Sequence, residues 1–122
     1  MNKLKLKLNK TAFQTLNNTL YLAIEQRTAD PELKRNIGEY TISSLLYELY
    51  TKVNKKNDDL NWFAYTADQQ FPVVVSRSQA LALYYVFTSE TEGQSVVLFA
   101  PASYERALVE SILTQIHKSF LV

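Results

Sequence analysis

One hydrophobic pattern occurs twice in this chain, in two segments that align without a gap at an offset of 67 residues (75 − 8 = 67). In the first strand-like segment Leu4, Leu6 and Leu8 align with Phe71, Val73 and Val75. A later helical stripe repeats at the same offset: Ile42, Leu45, Leu46, Leu49 and Val53 align with Val109, Ile112, Leu113, Ile116 and Phe120. Only four aligned positions are identical, so the pattern repeats although the residues do not. Two amphipathic helices of similar length can also align by chance, but a strand and the helices that match at one offset favour an internal duplication, which we predict with units at 3–55 and 70–122.

In each unit the pattern predicts one strand followed by helices. From Lys3 to Leu8 lysine alternates with leucine, which is typical of a strand with one buried face, and Phe71 to Val75 alternates similarly. Apolar spacing predicts helices from Lys10 to Arg27, from Pro31 to Asn54, from Arg77 to Thr88 and from Ala102 to Phe120. The last of these is expected to bury Tyr104, Leu108, Ile112, Leu113 and Ile116. Helix starts are indicated by the capping-box pairs Thr11–Gln14 and Ser76–Gln79, by Asp30 before Pro31, and by Pro101.

The remaining segments are predicted as connections. The polar stretch from Asn54 to Asp59 is expected to link the two halves, and a short strand is expected over Trp62–Tyr65. A turn is expected over Ser89–Gln94, while Val96–Phe99 fits either a strand or a helix.

These elements predict a mainly helical α+β fold. A chain of 122 residues has the usual size of one domain and buries enough surface to fold without disulfides or metals. We expect residues 1–122 to form that domain, with two short strands pairing across a pseudo-twofold axis and about four helices packed on one face of the sheet. The centre of the shared core is expected at Leu45, Leu46, Ile112 and Leu113.

Composition excludes several classes of protein. The net charge is +1, so no overall field directs the chain to a polyanion or a membrane surface. The longest apolar run, Ala80 to Phe87, is too short to span a bilayer as a helix. Cysteine is absent, which removes disulfides and thiolate sites and suits a reducing compartment. We expect a cytoplasmic protein that does not bind membranes.

No catalytic or cofactor motif is present. His117 is the only histidine and no cysteine accompanies it, so a zinc site lacks nitrogen and sulfur ligands. Gly38 and Gly93 are isolated, which excludes a phosphate loop and a dinucleotide fingerprint. Asp58-Asp59 lacks the further ligands of a calcium loop. The sequence therefore predicts a protein that is not an enzyme and binds no cofactor.

The predicted second helix has two apolar faces on nearly opposite sides. One face carries Ile42, Leu45, Leu46, Leu49 and Val53, and the other carries Leu33, Ile37, Tyr40 and Tyr47. The helix is either central in the fold or meets another chain, and both interpretations stay open at this point. Tyr84 and Tyr85 are adjacent and cannot both enter one core. We expect an interaction or adaptor protein, a homodimer or the binder of another protein, with an interface formed by Leu33, Ile37, Tyr40, Tyr47, Tyr84 and Tyr85.

Two other functions compete with this prediction. Lysines could contact nucleic acid phosphates, with Trp62 and Phe63 stacking on bases; the lysines are Lys3, Lys5, Lys7, Lys10, Lys52, Lys55 and Lys56. Lysines along an edge strand also protect it from pairing with another strand, which is the simpler explanation. The third function is small-molecule binding in a pocket between the helices and the sheet, with tyrosine hydroxyls and His117 as its polar groups.

Overall fold

The computed structural model describes residues 3–66, 68–91 and 103–121, without the side chains of residues 33, 34, 62 and 89–91. Within these residues, alternating and helical apolar patterns produce two strands and five α-helices. The elements are β1 (Lys3–Asn9), α1 (Lys10–Thr28), α2 (Pro31–Arg35), α3 (Ile37–Asp59), a 3-10 turn (Trp62–Ala64), β2 (Gln70–Ser76), α4 (Arg77–Thr91), α5 (Tyr104–Ile116) and a π-helical turn (His117–Leu121). The predicted mainly helical α+β class is confirmed.

The two strands pair in an antiparallel sheet. Leu6 lies opposite Val73, with Leu4 opposite Val75 and Leu8 opposite Phe71. All six side chains are buried, because alternation places them on the face that the helices cover. The lysines of β1 lie on the opposite, exposed face.

The helices form one layer on the apolar face of the sheet. α1 packs against α3 and α5, and α4 packs against α5 and α3, while both strands contact α1 and α4. One cluster of buried side chains joins all these elements. Its largest fully buried members include Phe13, Phe87, Leu16, Leu20 and Leu83.

Four helices begin with the same hydrogen bond, from a backbone N–H to the side-chain oxygen of the residue three positions earlier. Such N-caps satisfy amide groups that have no partner within the helix. The bonds are Ala12 to Asn9 (2.8 Å), Glu39 to Asn36 (3.1 Å), Gln79 to Ser76 (3.1 Å) and Arg106 to Ser103 (3.2 Å). The predicted Ser76–Gln79 capping box is present, since Gln79 Oε1 also accepts from the Ser76 N–H at 3.1 Å.

The predicted helix from Pro31 to Asn54 is two helices, so this prediction is wrong. Asp30 caps α2 as expected, but Asn36 has an extended backbone and caps a new helix, α3. α3 continues to Asp59, so the predicted linker from Asn54 is helical. Its lysines and asparagines are compatible with a solvated helix end, so polarity alone does not indicate a break in the helix.

Smaller differences have local causes. The cap of α1 is Asn9 rather than Thr11, and residues 62–64 form a 3-10 turn rather than a strand. α4 runs on to Thr91, where a turn was predicted from Ser89.

The predicted burial of the last helix and of the core centre holds only in part. Tyr104 is 49% exposed because it lies in the first turn of α5. Leu46 and Ile112 are fully buried, whereas Leu45 and Leu113 are only partly buried. Pro101, Ala102 and the segment 96–99 lie outside the described residues.

Candidate interaction surfaces

The face of α3 opposite the core is exposed. Ile37 is 84% exposed, Tyr40 60% and Tyr47 59%. We call these three residues the tyrosine face. Leu33, predicted to belong with them, lies in α2, and its side chain is not among those described. Within this chain α3 is therefore buried on one side only.

Tyr85, also predicted for the interface, is held by its own chain. Its hydroxyl donates to Glu39 Oε1 at 2.6 Å, although the residue is 47% exposed. Arg27 donates to Glu39 Oε2, also at 2.6 Å, and to the Ser43 hydroxyl at 2.9 Å. Glu39 thus joins α3 to α1 and to α4, and the Tyr85 hydroxyl is already engaged.

This network changes the acidity of both its acid groups. The hydrogen bond from Tyr85, followed by the hydrogen bond from Arg27, holds the pKa of Glu39 below its usual range. The same bond to the carboxylate, with some burial, raises the pKa of Tyr85. At neutral pH Glu39 is therefore charged and Tyr85 protonated, which is the state in which the network is complete.

A cleft of about 330 Å³ lies beside the partly buried Tyr84, and its lining is Tyr84, Thr88, Leu113, Thr114, His117 and Lys118. The rings of Tyr84 and His117 are 6.4 Å apart. These are the polar groups predicted for a small-molecule site. The cleft lies between α4 and α5 with its following turn, whereas a pocket against the sheet was predicted.

Three of the four N-terminal lysines share one surface. Lys3, Lys5 and Lys7 are exposed on the outer face of β1. Lys10 Nζ lies 5.9 Å from the centroid of the Phe63 ring, and Phe63 is 99% exposed. A cation beside an exposed ring is one arrangement that can hold a nucleobase next to a phosphate.

Two lysines of the second predicted cluster have a structural role. Lys52 Nζ donates to the backbone oxygen of Val74, and Lys56 Nζ donates to that of Pro72 at 3.0 Å. Lys56 Nζ also lies 5.8 Å from the centroid of the Phe13 ring. These ammonium groups therefore cover an edge of β2, and of this cluster Lys55 alone has no such described contact with the sheet. Sequence reasoning missed these contacts because they join residues 16 and 22 positions apart.

The described part of the chain contains neither a cluster of potential metal ligands nor a helix suited to a bilayer. Within it, no three acidic or histidine side chains are grouped as a metal site would need. No described helix combines the length and the apolar character needed to cross a bilayer. Comparison with protein-family models, with curated proteins and with solved structures found no match.

Proposed function

We propose that this protein is not an enzyme and acts by binding a protein partner through the tyrosine face of α3, and that this partner is a second copy of the chain. The observation that carries the proposal is the exposure of Ile37, Tyr40 and Tyr47 along one flank of a helix whose other flank is in the core. We place this activity in the cytoplasm, whose reducing conditions suit a chain without cysteine.

Single exposed apolar residues are ordinary, but a row of them on one helix is not. Tyrosine is enriched at interfaces because its ring buries a large area and its hydroxyl keeps a hydrogen-bonding end. The row is also long enough for a helix pair, since Ile37 and Tyr47 are ten residue steps apart, or about 15 Å at 1.5 Å per residue.

The chemistry of the row favours a second copy. Between Tyr40 and Tyr47 the same flank carries Thr41 and Ser44, which are uncharged and small. Two such helices can approach across a twofold axis without opposing like charges, and small residues allow close packing. A twofold interface needs a surface that is complementary to itself, and this row meets that condition.

The test is the mass in dilute solution, measured by sedimentation equilibrium. We expect wild-type protein to sediment as two chains and the double variant Tyr40→Ser with Tyr47→Ser as one. Tyr104→Ser, which removes an equally large exposed tyrosine from α5, is the matched control and should leave the mass unchanged. A wild-type protein that stays a single chain at high concentration would overturn the proposed dimer.

We also propose that the chain is an internal duplication with a pseudo-twofold axis. The starts of three pairs of elements support it, since β1 and β2, α1 and α4, and α3 and α5 each begin 67 residues apart. The N-caps agree as well, because Asn9 and Ser76, and Asn36 and Ser103, have the same separation.

The strand register supports the same proposal. A twofold axis between antiparallel strands requires that one residue lies opposite its own equivalent. At the offset of 67 the equivalent of Leu6 is Val73, and these two residues are opposite each other in the sheet. The helix contacts are consistent with such an axis, since α1 and α4 each pack on both α3 and α5.

Nucleic acid binding is a second candidate, favoured by Lys10 beside the exposed Phe63 ring and by the three lysines of β1. Fluorescence anisotropy with labelled single-stranded DNA and RNA tests it. Binding through phosphates should weaken steeply with added salt, and Phe63→Ser should weaken it where Tyr104→Ser, which removes an exposed ring from α5, does not. Absence of binding at low salt would eliminate this candidate.

A further inference from the structure

The two outer edges of the sheet differ in what covers them. In an antiparallel pair the N–H and C=O of one residue point to the same side, and successive residues alternate. The backbone oxygens of Pro72 and Val74 accept from lysines of α3, so these two residues face away from β1. Their partners across the ladder are Lys7 and Lys5, whose backbone groups therefore face away from β2.

The edge of β2 is blocked at Pro72 and at the carbonyl of Val74. Pro72 has no N–H to offer, and ammonium groups occupy the two carbonyl oxygens. Proline and lysine at an outer strand are both means by which natural sheets prevent further pairing.

The edge of β1 carries no such cover among the described residues. No hydrogen bond among the described residues involves the outward backbone N–H or C=O of Lys5 or Lys7. At the offset of 67, Lys52 aligns with Ser119. Ser119 has no ammonium group that could donate to a carbonyl. β1 thus presents two N–H and two C=O groups at the spacing that an added strand uses.

We propose that the open edge of β1 binds an extended segment of a partner protein as a third strand, and that this segment alternates acidic with apolar side chains. Its backbone pairs with the outward groups of Lys5 and Lys7. Its acidic side chains lie beside the lysines on the outer face, and its apolar side chains fall on the face of Leu4, Leu6 and Leu8.

Charge decides between this occupant and a second copy of β1. If β1 pairs with β1 of a second copy, Lys3, Lys5 and Lys7 face the same three residues of the other chain. Like charges in facing positions destabilise such a pair. The same three charges attract an acidic strand. This edge is separate from the tyrosine face of α3, and either surface can fail without the other.

The probe is an acetylated and amidated heptapeptide in which glutamate alternates with valine, with a lysine-for-glutamate version as the charge control. Titration into ¹⁵N-labelled protein should slow hydrogen exchange at the Lys5 and Lys7 amides. The lysine peptide should not bind.

Two variants of one position separate backbone pairing from charge. Lys5→Pro removes the outward N–H, and the fold should accept it because Pro72 holds the equivalent place in β2. Lys5→Gln removes the same charge but keeps the N–H. Lys5→Pro should bind the glutamate peptide about tenfold more weakly than Lys5→Gln, since it loses a hydrogen bond and blocks the approach of the strand. Thermal unfolding of both variants checks that each is folded.

Three results would overturn the proposal. The first is unchanged exchange at the Lys5 and Lys7 amides, and the second is equal binding by the two Lys5 variants. The third is protection of these amides that grows with protein concentration in the absence of peptide, which would assign the edge to a second copy. The proposal is supported independently of the dimer if Lys5→Pro no longer binds the glutamate peptide while the α3 double variant, Tyr40→Ser with Tyr47→Ser, still does.

Discussion

The groove between α1 and α3 is filled, whereas the corresponding groove between α4 and α5 is open. In the first, the rings of Tyr21 and Tyr50 lie 6.0 Å apart and cover the helix pair. At the offset of 67 the same places hold Thr88 and His117, which line the cleft of about 330 Å³. The two helix pairs thus differ in their surfaces, and Thr88 and His117 are two of the residues that line the cleft.

The two outer edges of the sheet also differ, but here the covered surface is that of the second strand, β2. The N-terminal unit ends in a helix of 23 residues, and α5 has 13 before its π-helical turn. The additional turns of α3 bring Lys52 and Lys56 to β2, and no equivalent lysine reaches β1 among the described residues. The two aligned segments therefore differ in what covers them, since lysines cover the edge of β2 and a cleft lies beside α4 and α5.

The largest expected difference between the units concerns two aligned leucines. Leu46→Ala should lower the free energy of unfolding by roughly 2–5 kcal/mol, because Leu46 is fully buried. Leu113→Ala should cost less than half as much, since Leu113 borders the cleft and is only partly buried. Urea unfolding measures both. Equal losses would show that the two grooves are packed alike.

Glu39 and its aligned partner Arg106 provide the next comparison. Glu39→Gln should cost roughly 1–3 kcal/mol at neutral pH, because it weakens bonds to Arg27 and Tyr85. Arg106→Gln should cost less than Glu39→Gln, since the pair of Arg106 with Glu110 at 3.2 Å lies within one helix and joins no second element. Chemical unfolding of the two variants beside wild type gives both values.

The cost of Glu39→Gln should depend on pH in both directions. The folded-state pKa of Glu39 is lowered, so its stabilisation is present above the unfolded value near 4.5 and is lost as pH falls through the folded value. The pKa of Tyr85 is raised from 10.0, so its stabilisation is present below that value and is lost as pH rises through the folded pKa. A difference between wild type and variant that stays constant from neutral to strongly acidic pH would contradict this assignment.

Exchanging the groove residues tests whether they alone set the difference between the units. Tyr21→Thr should open the first groove and cost about 0.5–1.5 kcal/mol, the usual worth of an aromatic pair. Thr88→Tyr should fill the cleft with little loss of stability, because the space is already open to solvent. Thermal unfolding and a crystal structure of each variant check this. If the Thr88→Tyr protein fails to fold, the residues around the cleft leave no room for a tyrosine, and Thr88 and His117 alone do not set the difference.

The smallest effect is expected at the edge of β2. Lys52→Gln should cost about 0.5–1 kcal/mol, because the Val74 carbonyl loses its ammonium donor. Lys55→Gln, three residues along the same helix and exposed, should cost nothing measurable. Urea unfolding of the pair decides whether this edge contact stabilises the fold.

Local signals were sufficient for part of the fold. Both strands and the starts of α1 and α4 follow from alternation and from residues within four positions of each other. The break at Asn36 also had a local signal that was overlooked, since Asn36 and Glu39 have capping-box spacing inside a continuous apolar pattern. The helical end of α3 had none, because lysine and asparagine suit a solvated helix as well as a linker.

The candidate surfaces were less accessible to sequence reasoning. Exposure of Ile37, Tyr40 and Tyr47 was one of two outcomes that the apolar pattern allowed. The Glu39 network joins residues 12 and 46 positions apart, and only packing of three helices brings them together. The open edge of β1 depends on which strand α3 reaches, and no pattern within β1 contains that information.

The central proposal is that two equivalent units meet at the Leu6–Val73 pair. The backbone NOEs of the sheet test it most directly. In an antiparallel ladder the pairs without mutual hydrogen bonds have the closest Cα atoms, about 4.5 Å apart, and give the strong Hα–Hα NOEs. We predict such NOEs between Lys5 and Val74 and between Lys7 and Pro72, with slow exchange of the Leu6 and Val73 amides. An Hα–Hα NOE between Lys5 and Pro72, or parallel pairing, would move the axis away from Leu6 and Val73 and contradict the proposed relation of the two units.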